Sequence, residues 1–190
     1  MKLAANAFIV SLTTAAVLAG SNLARASDAG AVVAQAAGAD LAGLQVLSPT
    51  GRAGDRLRWA AWQAPAVDGA VGRGVRFALF RRTAGAARRE WTIVRPEAYM
   101  PAIQIVSSWS YLGRPIALLT YQMGAVDQEL EVYGLDRDDQ PRRLGQLAAA
   151  VFDFRPVGGF TIEAVDAPDP PRCWGYAPAL AALTHVACPP

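Results

Sequence analysis

Apolar residues occur in short runs separated by turn residues over most of the chain. The runs are rich in Val, Ile, Phe, Trp and Tyr, and they end at turn dipeptides such as Asp68-Gly69 and Gly158-Gly159. This pattern predicts β-strands of about four to eight residues. The predicted strands cover residues 44–47, 57–63, 75–81, 90–94, 102–107, 115–122, 129–135, 142–147, 151–154 and 160–165.

The spacing of apolar side chains within these runs indicates antiparallel sheets. Segment 75–81 places Val75, Phe77 and Leu79 on one face, as a half-buried strand does. Residues 116–119 are apolar on both faces, which is typical of a central strand. The expected fold class is all-β, either an antiparallel sandwich or a partial barrel.

A weak internal repeat extends this prediction. Segments 58–63 and 77–82, separated by a turn, resemble segments 117–122 and 132–137. An offset of about 55 residues is the length of a four-stranded antiparallel unit such as a propeller blade. Two such units cannot close a propeller, which needs at least about four blades. We therefore expect two repeated four-stranded meanders packed on each other.

The first residues have the features of a signal peptide. Met1-Lys2 is followed by an apolar run over 3–19, and Ala24-Arg25-Ala26 fits the small-x-small rule for cleavage. Residues 1–26 are therefore the predicted signal peptide, cut after Ala26, and the mature protein is expected in the periplasm or secreted. The mature sequence has no second apolar stretch long enough to span a bilayer as a helix.

Composition divides the mature sequence into three parts. Residues 27–42 are rich in Ala and Gly and predict a flexible N-terminal arm with a short helical piece, followed by a β domain over 43–166. Residues 167–190 form a Pro-rich segment in which 178–183 could make a helical turn. Cys173 and Cys188 predict a disulfide that closes this segment as a flap. A closed loop of about 15 residues stabilises by roughly 3 kcal/mol.

Charge excludes one class of function and raises a question about the fold. Cleavage removes Lys2 and Arg25, so the net charge of +2 becomes zero, and a neutral exported chain is a poor nucleic-acid binder. The remaining cations crowd one stretch and the acids a later one. The arginines are Arg73, Arg76, Arg81, Arg82, Arg88, Arg89 and Arg95, and the acids are Asp127, Glu129, Glu131, Asp136, Asp138, Asp139 and Asp153. These charges could be solvated, could pair within the fold or could contact a partner.

Motifs for catalysis, metals and cofactors are lacking in the sequence. His185 is the only histidine, and there is no G-x-S-x-G elbow to suggest a hydrolase triad. One histidine and two cysteines cannot make a usual zinc site. The pairs Glu129/Glu131 and Asp153/Glu163 could in principle serve a glycosidase, but surface acids are the default interpretation. We therefore predict no catalytic residue, no metal and no cofactor.

Aromatic residues supply the remaining candidates for a binding site. Trp59 and Trp62 are three apart in one strand, so they should point to opposite faces. Other aromatics lie at strand or loop ends, where exposure and contact with a partner or ligand are expected. The candidate binding residues are Trp109, Tyr111, Trp174, Tyr176, Arg81, Arg82, Arg88 and Arg89.

Three functions remain compatible with the sequence. The leading hypothesis is a non-catalytic exported module that binds another exported or membrane-complex protein, as an accessory subunit. The alternatives are a β domain that binds a carbohydrate or small ligand, and a hydrolase with an unrecognised carboxylate pair. Tryptophans along a groove would favour the ligand binder, and facing acids across a cleft would favour the hydrolase. A flat apolar patch rimmed by Arg would favour the protein binder.

Overall fold

The computed structural model describes seven stretches of the chain. These are residues 28–38, 44–50, 55–63, 74–125, 127–156, 159–166 and 169–189. The predicted signal peptide and its cleavage site lie outside these residues.

One helix and twelve strands make up the described part of the chain. Helix α1 spans Asp28–Ala37. The strands are β1 (Gln45–Leu47), β2 (Leu57–Gln63), β3 (Val75–Thr83), β4 (Ala86–Arg95), β5 (Ala98–Tyr111), β6 (Arg114–Met123), β7 (Asp127–Leu135), β8 (Pro141–Ala149), β9 (Val151–Arg155), β10 (Thr161–Val165), β11 (Arg172–Ala177) and β12 (Ala182–Val186). Among these residues, no helix is both long enough and apolar enough to cross a membrane.

The strands form three open antiparallel sheets, each built from four consecutive strands. Sheet I has the order β1-β2-β3-β4, sheet II the order β5-β6-β7-β8 and sheet III the order β9-β10-β11-β12. Within each sheet, every strand pairs with the strand that follows it in the chain, which is the pattern of a meander.

Sheet II lies between the other two sheets and buries both of its faces. One face packs on sheet I, with Leu119 and Tyr133 among the side chains that meet Trp59 and Phe77. The other face packs on sheet III. Strand β6 is therefore a central strand, as its continuous apolar run over 116–119 predicts.

The two outer faces of the stack differ, since a helix packs on one and charged side chains lie on the other. Helix α1 packs on sheet I, where the fully buried Val33 contacts a cluster that includes Trp62 and Phe80. The predicted N-terminal arm is therefore a packed helix over Asp28–Ala37. On the outer face of sheet III, Arg155 pairs with Asp153 at 2.9 Å and with Glu163 at 3.1 Å.

The all-β prediction and the predicted disulfide are confirmed. The fold has three meanders, whereas the sequence repeat predicted two. The third meander arises because the Pro-rich end contributes β11 and β12, which pair with each other and, through β11, with β10. The helical turn expected over 178–183 is wrong. Its first residues form the turn between β11 and β12, where Leu180 N–H donates to the Ala177 carbonyl at 3.1 Å.

Candidate binding groove

A groove lies next to the point where the pairing of β10 with β11 ends. Strands β10 and β11 pair from Ala164–Arg172 to Ile162–Trp174. Beyond Trp174, β11 continues to Ala177 and pairs only with β12. Strand β10 begins at Thr161, one residue before its first pair with β11. Residues of β5, the start of β10, β11, the end of β12 and the C-terminal tail line an open groove of about 430 Å³.

Three aromatic rings form the body of this groove. Trp109, near the end of β5, contributes from sheet II, and its ring centre lies 5.1 Å from that of Phe160 and 5.9 Å from that of Tyr176. Trp109 is only 7% exposed, whereas Phe160 and Tyr176 are half-buried. The groove thus has a buried aromatic floor and two partly accessible aromatic walls.

The rest of the lining is small and uncharged. Besides the three aromatics, the lining consists of Ser108, Gly159, Thr161, Gly175, Val186, Ala187 and Pro189. Apolar surface with a few hydroxyl groups is the usual composition of a site for an uncharged ligand or an uncharged segment of a partner.

The C-terminal tail forms one side of the groove. After β12 the chain continues through Ala187 and Pro189, which both line the groove. The disulfide between Cys173 of β11 and Cys188 links this tail to the sheet, with the two Cα atoms 5.1 Å apart. The predicted disulfide therefore shapes the groove as well as closing a loop.

The Tyr176 hydroxyl is a buried polar group without a hydrogen-bond partner. Burial and the neighbouring Tyr111 phenol raise the pKa of Tyr176, so the hydroxyl keeps its proton at neutral pH. A buried unpaired hydroxyl costs about 1–3 kcal/mol.

Two other aromatic candidates lie near the groove but outside its lining. Tyr111 packs over Gly134, where an added Cβ would lie 2.5 Å from the Tyr111 ring, so glycine is needed for this contact. Trp174 lies against His185 with ring centres 3.6 Å apart. Both side chains are half-buried and support the core between sheets II and III.

The arginine candidates belong to sheet I, and two of them pair within the protein. Arg81 pairs with Glu90 at 3.2 Å and with Asp139 at 2.8 Å, and Arg88 pairs with Glu90 at 2.9 Å. Internal pairing, one of the three alternatives for the charges, thus applies to these two side chains.

Arg89 and Arg82 have other environments on sheet I. Arg89 lies over the Phe80 ring and donates to the Ala36 carbonyl at the C-terminal end of α1, where the helix dipole favours a cation. The Arg82 Nε atom is buried without a hydrogen-bond partner. None of the four arginines lines the groove, so the two predicted candidate sets are separate in the fold.

A buried carboxylate joins sheets I and II and corrects an expectation from the sequence. Glu131 was expected at the surface but is 1% exposed. Arg95 Nε donates to its Oε1 at 2.7 Å, Tyr121 to the same oxygen at 2.8 Å, and Tyr133 to Oε2 at 2.9 Å. Burial raises the pKa of both tyrosines most, and the Glu131 carboxylate raises it further.

The second carboxylate of this cluster is also held by internal contacts. Gln146 donates to Glu129 at 2.8 Å, and the Tyr121 hydroxyl, whose single proton the two carboxylates share, lies 3.0 Å from the same Glu129 oxygen. The pair Glu129/Glu131 is therefore joined through one phenol, and Glu131 has little contact with solvent. This arrangement binds strands together and gives no support to a glycosidase role, which needs room for a sugar between the acids.

Several groove residues are not among the candidates predicted from the sequence. Phe160, Thr161 and Pro189 lie far apart in the chain from Trp109 and are brought to it by the packing of sheet III on sheet II. The Gly158-Gly159 turn before Phe160 is visible in the sequence, but a turn does not reveal which ring it places on another sheet. Trp109 and Tyr176 were among the candidates, although Trp109 was expected to be more exposed than it is.

No protein-family model matches the sequence, and no curated protein shows a significant match to it. The fold and the groove define a stack of three antiparallel meanders with an aromatic groove beside a disulfide-linked tail. A function for this class of architecture has to be argued from the groove itself.

Proposed function

We propose that this protein is a non-catalytic protein-binding module and that a partner docks at the end of the stack where the groove opens. The observation that carries the proposal is the position of two exposed leucines. Leu112 follows β5 three residues after Trp109, and Leu180 follows β11 four residues after Tyr176. Leu112 is 53% exposed and Leu180 is 69% exposed.

The shape of this end favours a protein over a small molecule. The groove is open, so a small ligand would remain in contact with solvent, whereas pockets for such ligands bury most of the ligand surface. A protein can fill the groove and cover both leucine tips in one interface. Exposed apolar side chains that follow groove residues closely in the chain are candidates for an interaction site.

The proposed setting is outside the cytoplasm. The disulfide between Cys173 and Cys188 supports an oxidising compartment, and residues 1–26 have the features of a signal peptide. We place the protein in the periplasm or among secreted proteins, as an accessory subunit of an exported or membrane-associated complex.

Affinity capture of the natively expressed protein tests this proposal. The mature chain and a Leu112→Ser/Leu180→Ser variant are captured under gentle conditions, and stoichiometric companions are identified by mass spectrometry. Met100→Ser is the matched control, because Met100 is 66% exposed and lies at the opposite end of β5. We expect a companion with the wild type and the control that is lost with the double variant. Capture that is equal in all three proteins would contradict the docking site.

A carbohydrate or another uncharged small ligand is the second candidate. It is favoured by the uncharged lining and by aromatic walls on which the C–H face of a sugar ring could pack. A glycan array with the mature protein decides this alternative. Binding of one glycan class that is abolished by Phe160→Ala would support it, and a blank array with a stoichiometric protein companion would exclude it.

A further inference from the structure

We propose that the disulfide between Cys173 and Cys188 is a thiol-exchange site, at which an external thiol attacks the Cys188 sulfur and the opened bond releases the C-terminal tail from the groove. The co-reactant is a thiol or dithiol reductant. This inference concerns the tail alone, and it does not depend on what docks in the groove.

The two cysteines of the disulfide differ in their exposure. Cys173, on β11, is 2% exposed, whereas Cys188, in the tail, is an exposed residue. A thiolate opens a disulfide by attacking one of its two sulfur atoms, and access helps to decide which one. Exposed disulfides are the labile ones that exchange with thiols. The tail side of this bond is therefore the side that a reductant reaches.

The tail beyond β12 is attached to the rest of the fold chiefly by the disulfide. Val186 forms the last pair of β12 with β11, so the residues after it lie outside the sheet. In the part of the chain that the structure describes, Ala187 and Pro189 make no hydrogen bond or ion pair. The Cys188 Sγ lies 3.5 Å from the Pro171 carbonyl oxygen, but a disulfide sulfur has no proton to donate. Apart from the packing of the half-buried Pro189, the covalent link is what fixes the tail.

Exchange at this bond balances in two steps. In the first, the sulfur of the attacking thiolate bonds to the Cys188 Sγ, the S–S bond breaks, and Cys173 leaves as a thiolate that takes up a proton. In the second, another thiol attacks the external sulfur of the mixed disulfide and frees the Cys188 thiol. Two electrons pass from the two external thiols to the protein, and the external thiols end as a disulfide.

Opening the bond changes one side of the groove and leaves the strand pairing in place. Ala187 and Pro189 line the groove while the disulfide holds the tail beside it. Strand β12 pairs with β11 from Ala182 to Val186 through backbone contacts that do not involve the tail. The oxidised protein therefore has the tail as one side of the groove, and the reduced protein has a wider groove without that side.

Mapping the mixed disulfide tests which sulfur is attacked. The folded mature protein is treated with glutathione, quenched with N-ethylmaleimide in denaturant and digested with trypsin. Both cysteines fall in the peptide that follows Arg172, because no Lys or Arg comes after it, so fragment ions locate glutathione and maleimide on each cysteine. We expect glutathione on Cys188 and maleimide on Cys173 in about tenfold excess over the reverse pattern.

The same reaction in urea is the control for the intrinsic reactivity of the two cysteines. Unfolding exposes both of them, so the two labelling patterns should become nearly equal. Equal patterns in the folded protein, an excess of glutathione on Cys173, or no adduct before unfolding would overturn the inference. A preference for Cys188 of the same size in urea would also overturn it, because the fold would then not set the site of attack.

Resonances of the reduced protein test the release of the tail. Reduction with dithiothreitol is followed by the Ala187 amide and by the indole N–H groups of Trp59, Trp62 and Trp109. We expect fast motion at Ala187 and a shift at Trp109, while Trp59 and Trp62 of sheet I keep their resonances and report an intact fold. An Ala187 amide that stays rigid would contradict the release. Loss of the Trp59 and Trp62 resonances would contradict it too, because the bond would then be required for the fold itself.

Discussion

Glu131 shows how single residues join the sheets of this protein. Its carboxylate on β7 accepts hydrogen bonds from Arg95 of β4 and from Tyr121 and Tyr133 of its own sheet. Both oxygens are therefore occupied, and Arg95 carries the contact across from sheet I to sheet II. A buried charge tolerates such a position only when it is paired and hydrogen-bonded.

Removing that charge should destabilise the protein measurably. Glu131→Gln keeps the shape but leaves Arg95 without its anion, and we expect a loss of about 2 kcal/mol in the free energy of unfolding. Breaking a buried pair costs about 3–5 kcal/mol, and Arg95 is partly exposed, which reduces the loss. Urea denaturation measures it, with the exposed Glu97→Gln as control. A change in Glu131→Gln no larger than in the control would contradict this role.

Asp139 is a second residue that connects sheets, and it makes stability depend on pH. Its own burial would raise the pKa, but hydrogen bonds and charge from Arg81 and Arg114 hold the pKa of this carboxyl below its ordinary value of 3.8. A lowered pKa in the folded state contributes stability above about pH 4. That contribution is lost as the pH falls through the lowered value.

The variant Asp139→Asn isolates this contribution. Asparagine tolerates the positive φ of 64° at this position, so the turn should keep its shape while the charge is lost. We expect the variant to be less stable than the wild type by about 1 kcal/mol at pH 7. At a pH below the lowered pKa of Asp139, the two proteins should unfold at the same urea concentration. A difference that persists at low pH would show that the loss comes from the turn and not from the charge.

At the residue scale, the sequence predicts which face a side chain occupies when alternation along a single strand is enough to decide it. Trp59 and Trp62 do face opposite layers, since the first packs toward sheet II and the second toward α1. The prediction failed for Glu131 because both faces of sheet II are buried. Alternation along β7 then cannot tell a solvent face from a second core face.

The disulfide-linked tail is the element on which the groove depends most. The link between Cys173 and Cys188 spans 15 residues and includes strand β12. Ala187 and Pro189 line the groove from this tail. Loss of the link would therefore affect both the stability of sheet III and the binding surface.

A Cys173→Ala/Cys188→Ala variant tests this dependence. We expect the free energy of unfolding to fall by roughly 3 kcal/mol, as for a closed loop of this length. Resonances of Trp109 and Tyr176 should shift because the tail no longer holds its place beside them. A variant with wild-type stability and unchanged resonances would contradict the role of the tail, and reduction of the wild type should reproduce the variant.

Element prediction was accurate where local pattern and tertiary structure agree. Strand β2 has the bounds that its apolar run predicts, and the other nine predicted runs also lie in or overlap strands. Strands β11 and β12 were missed because Gly175, Pro178 and the alanines after it favour turns or helix over strand. Their pairing with β10 and with each other outweighs this local preference.

At the scale of the whole molecule, three meanders stack into layers, and helix α1 covers the outer face of the first. Each sheet has the strand order of a propeller blade. Helix α1 covers the outer face of sheet I, and ion pairs of Arg155 and the linked tail lie on sheet III. The proposed partner is expected at the hairpin tips that carry Leu112 and Leu180 and at the groove.

The sequence repeat predicted two meanders, whereas the fold has three, and the difference has a physical reason. The segments that resemble each other belong to sheets I and II, whose facing strands build one core. Sheet III uses shorter strands and Gly175 in place of a large side chain, so its pattern does not resemble the other two. The groove could not be predicted for the same reason. It lies next to the end of the pairing between β10 and β11, and both strands belong to this divergent sheet.

Site-specific photo-crosslinking in the cell that makes the protein tests the docking site most directly. Benzoylphenylalanine is placed at the exposed positions 112 and 180, which follow the groove residues Trp109 and Tyr176 in the chain, and at the exposed positions 94 and 100 as controls. We predict a discrete crosslinked partner from 112 and 180 and none from 94 and 100. Crosslinks from the control positions alone, or none from any position, would contradict docking at the groove.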